Sequence, residues 1–90
     1  MAKKSSTRNT GKKPVKVFRI GFVSASVFVN EVETNLGGRE FHSVNIQRSY
    51  RDEDETKFTS SFGLAELPQA VRVLQLAQGY IERIEAEVSE

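Results

Sequence analysis

The chain has no cysteine, no tryptophan, a single histidine and only two prolines. Without cysteine there is no disulfide support, no thiolate metal site and no thiol nucleophile. The lone histidine, His42, falls by strand parity beside Val44 and Ile46, a structural position rather than a catalytic or metal-bound one. No apolar run approaches the roughly 20 residues of a membrane-spanning helix. The positive N-terminus is not followed by the apolar segment of a secretory signal. The expectation is a cytoplasmic protein with no membrane partner. Catalytic and phosphate-binding sets are also missing. Asp52-Glu53-Asp54-Glu55 lacks the spacing and central glycine of a calcium loop and reads as a polar turn. Gly37-Gly38 has neither the Lys-Ser/Thr pair nor the helix that follow a phosphate loop. Several serines lie in strand-like segments with no base to activate them. No catalytic residue, metal or cofactor is expected, and the chain reads as a binding module rather than an enzyme.

Ninety residues make one domain at most. The first fourteen (MAKKSSTRNTGKKP) have no apolar periodicity and too little apolar surface to offset the entropy of ordering. Residues 1–14 therefore read as a disordered basic arm, and residues 15–90 as a single folded unit. A domain of that size is marginal alone, so a partner subunit is one route to stability. The net charge of +1 hides an asymmetry. Lys3, Lys4, Arg8, Lys12, Lys13, Lys16 and Arg19 precede any acid, whereas residues 20–90 carry six basic and twelve acidic groups. Such a basic block either touches a polyanion or solubilises the chain.

Residues 15–32 (VKVFRIGFVSASVFVNEV) alternate with period two and are rich in β-branched and aromatic side chains. Phe18, Ile20 and Phe22 share one parity; Val23, Ala25, Val27 and Val29 share the other. The slip of one residue beside Gly21 predicts a bulge or tight bend, so the segment is one bent strand or two short ones. Asn35-Leu36-Gly37-Gly38 is a turn, and residues 40–51 alternate again. Residues 56–64 predict a further strand with Phe58, Phe62 and Leu64 facing in and Lys57, Thr59 and Ser61 facing out. Pro68 suits the first turn of a helix, where its missing N–H costs nothing, and good helix formers run on to Glu87. The fold class is α+β: a curved antiparallel sheet of three to four strands followed by one long C-terminal helix packed on one face.

Along that helix Leu67, Ala70, Val71, Leu74, Ala77, Ile81, Ile84 and Val88 form a core-facing stripe. Val73, Leu76 and Tyr80 widen the apolar arc to about 220°. A helix lying on its own sheet needs a little over 100°. The surplus predicts a homodimer through the C-terminal helix, with Val73, Leu76, Tyr80 and Ile84 at the interface; coverage by loops or the entry strand is the alternative.

With the helix on one face, parity leaves Arg19, Ser24, Ser26, Phe28, Asn30, Phe41, Ser43, Asn45, Gln47, Ser49, Arg51, Lys57, Thr59 and Ser61 on the other. None is acidic, and two aromatics interrupt the polar surface. Aromatic faces stack on bases and cations meet phosphates. The candidate nucleic-acid-binding residues are Lys12, Lys13, Lys16, Arg19, Ser26, Phe28, Phe41, Asn45, Gln47, Arg51 and Lys57. An ordinary solvated sheet face, with a Phe pair stabilising it across strands, accounts for the same residues.

Several stretches carry a resemblance: Lys16-Val17-Phe18-Arg19-Ile20-Gly21, Val23-Ser24-Ala25-Ser26-Val27-Phe28, Val44-Asn45-Ile46-Gln47-Arg48-Ser49-Tyr50-Arg51-Asp52, Ser61-Phe62 and Leu67-Pro68. Over residues 15–85 the chain resembles a group of short uncharacterised bacterial proteins with a basic start and an Arg-Ser-Tyr-Lys/Arg-Asp strand end. The position of Phe28 is often Trp in that group. At fold level the order of strands then helix is similar to transcriptional positive cofactor four, the Whirly proteins and the Pur-alpha proteins. That resemblance implies dimers joined through helices and single-stranded nucleic acid held on the sheets. The functional expectation is a homodimeric single-stranded DNA- or RNA-binding protein, a transcription or DNA-maintenance accessory factor. A protein–protein interaction module without nucleic-acid binding is the alternative.

Overall fold

A computed structural model describes residues 13–88. The expected arm lies largely outside the described residues, Lys12 with it, and so does the side chain of Val88. Four strands, β1 (Lys16–Ile20), β2 (Val23–Thr34), β3 (Gly37–Asp52) and β4 (Glu55–Thr59), precede one helix, α1 (Leu67–Val88). The strands form an antiparallel meander in the order β1-β2-β3-β4. This is the α+β arrangement of an open antiparallel sheet and one C-terminal helix that the periodicities predict.

The phase slip at Gly21 is a turn between two strands rather than a bulge in one. Ile20 pairs directly with Val23, leaving Gly21 and Phe22 as a two-residue loop. Gly21 has φ +60° and Phe22 does not have a positive φ. A positive φ at the first central position alone is the feature of a II′ hairpin turn, whose twist matches the strands it joins. The turn at Glu53-Asp54 closes β3 onto β4 in the same way, pairing Asp52 with Glu55.

β2 and β3 are much longer than their neighbours. β1 reaches only Val23 to Val27 of β2, and β4 only Arg48 to Asp52 of β3. Residues 28–34 and 37–43 thus form a two-stranded ribbon projecting past both edge strands.

The helix lies on β2 and β1, touches β3 less and makes no close approach to β4. Its packing partners on β2 are Val23, Ala25 and Val27, which are fully buried with Ala70, Val73 and Ala77 of α1. Phe18, Ile20, Val44, Ile46, Phe62, Tyr80 and Ile81 ring this centre. Tyr80 meets Phe18 edge-on, with centroids 6.0 Å apart at 68°, a favoured aromatic geometry.

The buried stripe corrects the expected helix phase. Leu67, Val71 and Leu74, expected in the core, are exposed, whereas Val73, expected at a dimer interface, is fully buried. The helix is turned by roughly 50° from the stripe drawn through its largest side chains. Ala70 and Ala77 let the helix backbone approach β2 closely, and Val73 fills the space between them. Tyr80 is likewise occupied against Phe18, and Leu76 is half-buried beside it. Of the four expected interface residues, Ile84 alone is exposed.

Two further expectations are corrected at β4. The strand ends at Thr59, so Ser61 lies beyond it, and Leu64 is exposed in the loop before the helix. Phe58 does not face in. It is 60% exposed, because the two-residue turn at Glu53-Asp54 sets it opposite Ser49, on the sheet face turned away from the helix. Phe62 does pack against the core.

Candidate nucleic-acid interface

The register assigns every strand residue to one of two faces, because directly paired residues share a face and neighbours in sequence do not. The face opposite the helix carries Val17 and Arg19 of β1, and Ser24, Ser26, Phe28, Asn30 and Val32 of β2. β3 adds Arg39, Phe41, Ser43, Asn45, Gln47, Ser49 and Arg51, and β4 adds Thr56 and Phe58. No carboxylate falls on it. Glu31, Glu33, Glu40, Asp52 and Glu55 all have the opposite parity, and Glu53 and Asp54 form a turn. The strands thus keep their acids to the helix side, whereas cations stand on both: Arg19, Arg39 and Arg51 on the open side, Lys16, Arg48 and Lys57 on the other.

β3 is the spine of this face. Its alternate residues read Arg39, Phe41, Ser43, Asn45, Gln47, Ser49, Arg51, a polar run bracketed by two exposed arginines. At about 3.3 Å per residue the run spans roughly 40 Å. Arg19 adds a third exposed cation on β1, across Ser24 from Gln47. Ser24 is 7% exposed although its face is open. Its short side chain lies between the long ones of Arg19 and Gln47.

Phe28 and Phe41 lie on the free ribbon. Phe28 pairs with Ser43 and is half-buried; Phe41 pairs with Asn30 and is exposed. Neither is enclosed by the core. Asn30 Nδ2 donates to Ser43 Oγ at 2.8 Å, a diagonal contact that fixes both side chains between the two rings. The amide oxygen of Asn30 and the side chains of Asn45 and Gln47 supply further acceptors and donors.

The expected site residues divide as follows. Arg19, Ser26, Phe28, Phe41, Asn45, Gln47 and Arg51 share the open face. Lys13, which precedes β1, is exposed. Lys57 is on the other face: Asp52 pairs with Glu55, so parity carries Arg51 to Thr56 and places Lys57 beside Tyr50. Its Nζ donates to Asp52 Oδ2 at 3.0 Å. Thr59 moves with it, opposite Arg48. Lys16 pairs with Val27 and therefore also faces the helix side. Its Nζ stands 5.7 Å from the Phe18 ring centroid, in a cleft beside Gln75, Leu76 and Tyr80. Arg39 and Phe58 were missed. A strand start at Glu40 excludes Arg39, and treating every phenylalanine of β4 as a core residue hides Phe58. The two-residue turn at Glu53-Asp54 was the signal that could have found the latter.

On the helix side, His42 Nδ1 lies 3.1 Å from Glu85 Oε2, tying the ribbon to the last turns of α1. Among the described residues no three or more His, Asp or Glu side chains converge on a place that could hold a metal ion. No helix among them is long and apolar enough to cross a membrane. No protein-family model matches the chain, and neither a curated protein nor a solved structure matches it.

Proposed function

We propose that this protein binds single-stranded nucleic acid, DNA or RNA, on the face of the sheet opposite the helix, and does so as a cytoplasmic homodimer. One observation carries the reading: five strand carboxylates lie on the helix side and none on the open side, where Arg19, Arg39 and Arg51 stand among exposed or half-buried phenylalanines. A polyanion needs a surface free of like charge. Arginine forks suit phosphate oxygens, and rings suit bases of any identity. The amides and hydroxyls between them can bond to phosphates or to base edges. The basic residues before β1 add a charge contribution independent of sequence. Strands followed by a helix is also the order of the positive cofactor four, Whirly and Pur-alpha proteins, and a transcription or DNA-maintenance accessory role is the process that fits.

The dimer rests on the apolar surface that α1 leaves uncovered. Leu67 and Leu74 stand exposed seven residues apart on the flank that also carries Glu85, the His42 partner, and the half-buried Ile81 continues that line toward the core. That flank looks over β3, and beyond it Val71 is exposed as well. The fully buried centre of the protomer contains three alanines, three valines and no larger side chain. So small a core favours a second copy whose helix fills the space above β3 and β4.

The test is a fluorescence-anisotropy titration with labelled single- and double-stranded DNA and RNA over a salt series. Binding to single strands is expected to weaken steeply with salt, by about 0.7 in the logarithmic slope for each phosphate contacted. Absence of binding at low salt rejects the reading. Nuclease-resistant capture of a partner in its place turns the open face into a protein-docking surface.

A further inference from the structure

We infer that the open face holds a second aromatic subsite, built from Phe58 and Phe22 around Ser49, so that each protomer grips a run of about four nucleotides rather than one base at the ribbon. The inference rests on the single-strand reading above and extends it to residues outside that site.

Ser49 marks the place. It pairs with Phe58 of β4 on one side. On the other its amide donates to the Phe22 carbonyl at 2.9 Å. One row across the sheet is therefore Phe22, Ser49, Phe58. The two rings are 72% and 60% exposed, so their faces are open to a ligand. Their exposure has a structural cause. β2 begins at Val23, so β3 runs on past it from Ser49 to Asp52 with β4 alone as neighbour. The step leaves a recess of about 550 Å3 at the free edge of β3, lined by Phe22, Ser49, Arg51 and Thr56 and also by Arg48 and Tyr50 of the helix side, with Phe58 across Ser49 from it. Arg51 supplies the cation there. Glu66, the one carboxylate lining the recess, is engaged by the Gly63 amide at 2.8 Å.

This row lies six residues along β3 from Ser43, the partner of Phe28. Six strand residues span roughly 20 Å. Ser43, Asn45, Gln47 and Ser49 line the way between, with no large apolar side chain and no acid. Two stacking stations separated by a hydrogen-bonding track, with Arg39 beyond one and Arg51 beside the other, define a path for one extended strand. The aromatic side chains of the open face stand at the two ends of this track, and Val17 of β1 lies to one side of it, in the row of Ser26 and Asn45.

The experiment measures affinity at low salt for labelled oligothymidylates of three, four, six and eight nucleotides. The proteins are the wild type, Phe58→Ala, Phe58→Leu and Phe28→Ala, each checked for a native circular-dichroism spectrum. Phe58 is largely exposed, so its variants are expected to fold. Wild-type affinity is expected to climb from three nucleotides and to level off beyond four to six. Phe58→Ala and Phe58→Leu are both expected to lose about tenfold on the eight-mer and to flatten the length dependence, since leucine restores bulk but no stacking face. Unchanged eight-mer affinity in both, with Phe28→Ala still weakening it, overturns the second subsite and leaves the open-face reading standing. Recovery by Phe58→Leu overturns stacking as its basis. No binding by the wild type removes both ideas.

Discussion

The two faces of β2 are drawn from the same twelve residues and have opposite careers. Val23, Ala25 and Val27 are fully buried beneath α1, while Ser26, Phe28 and Asn30 look away from it. The same partition runs through β3, where Val44 and Ile46 pack on the core and Asn45 and Gln47 do not. Alternation of this kind is ordinary for a half-covered antiparallel sheet. The charges go further than solvation requires. Water accepts glutamate as readily as arginine, yet on the strands every carboxylate takes the helix-side parity. Glu31 and Glu40 even stand directly opposite one another there, an arrangement that costs stability across strands. Exposure explains why the open face is polar. It does not explain why that face excludes acids; the polyanionic ligand proposed above would.

Adjacent residues give the sharpest way to break this contrast. Val27→Asp puts an unpaired charge into the centre of the core. It is expected to cost more than about 4 kcal/mol, enough to unfold a domain of this size. Its far-ultraviolet circular dichroism is expected to be that of an unfolded chain at 25 °C. Ser26→Asp, one residue away, is expected to keep the wild-type spectrum and to lower single-strand affinity at least tenfold by setting a carboxylate on the phosphate path. Equal affinity in Ser26→Asp and wild type contradicts the open-face reading even if the wild type binds.

The two flanks of the helix form a second contrast. One is occupied by the protomer's own Phe18, through Tyr80; the other presents Leu67 and Leu74. Leu74→Asp is expected to leave the protomer folded, since the side chain is 42% exposed, and to convert a dimer into a monomer by analytical ultracentrifugation. A wild type that sediments as a monomer at all concentrations defeats the dimer without touching the ligand argument.

How much of this was legible in the sequence differs by element. Period two survives in β2 and β3, so the membership of both faces from Ser24 to Arg51 can be read without a structure. Helix phase cannot be read as safely. Weighting by side-chain size draws the stripe toward Leu67, Val71 and Leu74, but close packing is decided by which residues let two backbones approach, and here those are Ala70 and Ala77. The phase of β4 failed for a different reason: the two-residue turn that pairs Asp52 with Glu55 puts Phe58 opposite Ser49 on the open face. Packing settled the helix, and turn length settled the strand. Gly21 announced a break in the chain, and only the pairing of Ile20 with Val23 makes that break a hairpin.

The smallest expected effect separates the two II′-like turns. Gly21 and Glu53 both have φ +60° at the first central position. At Gly21 the conformation is free of Cβ strain, and a Cβ there would lie 3.3 Å from the Gln69 side chain. At Glu53 an L-residue occupies the same region, at a cost of about 1–2 kcal/mol relative to glycine. Glycine in turn loses roughly 0.5–1 kcal/mol more backbone entropy on folding. Glu53→Gly is therefore expected to stabilise by about 0.5 kcal/mol, a rise of roughly 2–4 °C in Tm for a domain this small. Gly21→Ala is expected to move the other way, by about 1 kcal/mol or more. Both are measured by thermal unfolding at a fixed protein concentration, because a dimer makes Tm depend on it. Tm shifts of the same sign in the two variants show that the turns are not equivalent. A fall in Tm for Glu53→Gly then means that the backbone entropy lost with glycine exceeds the strain relieved at that position.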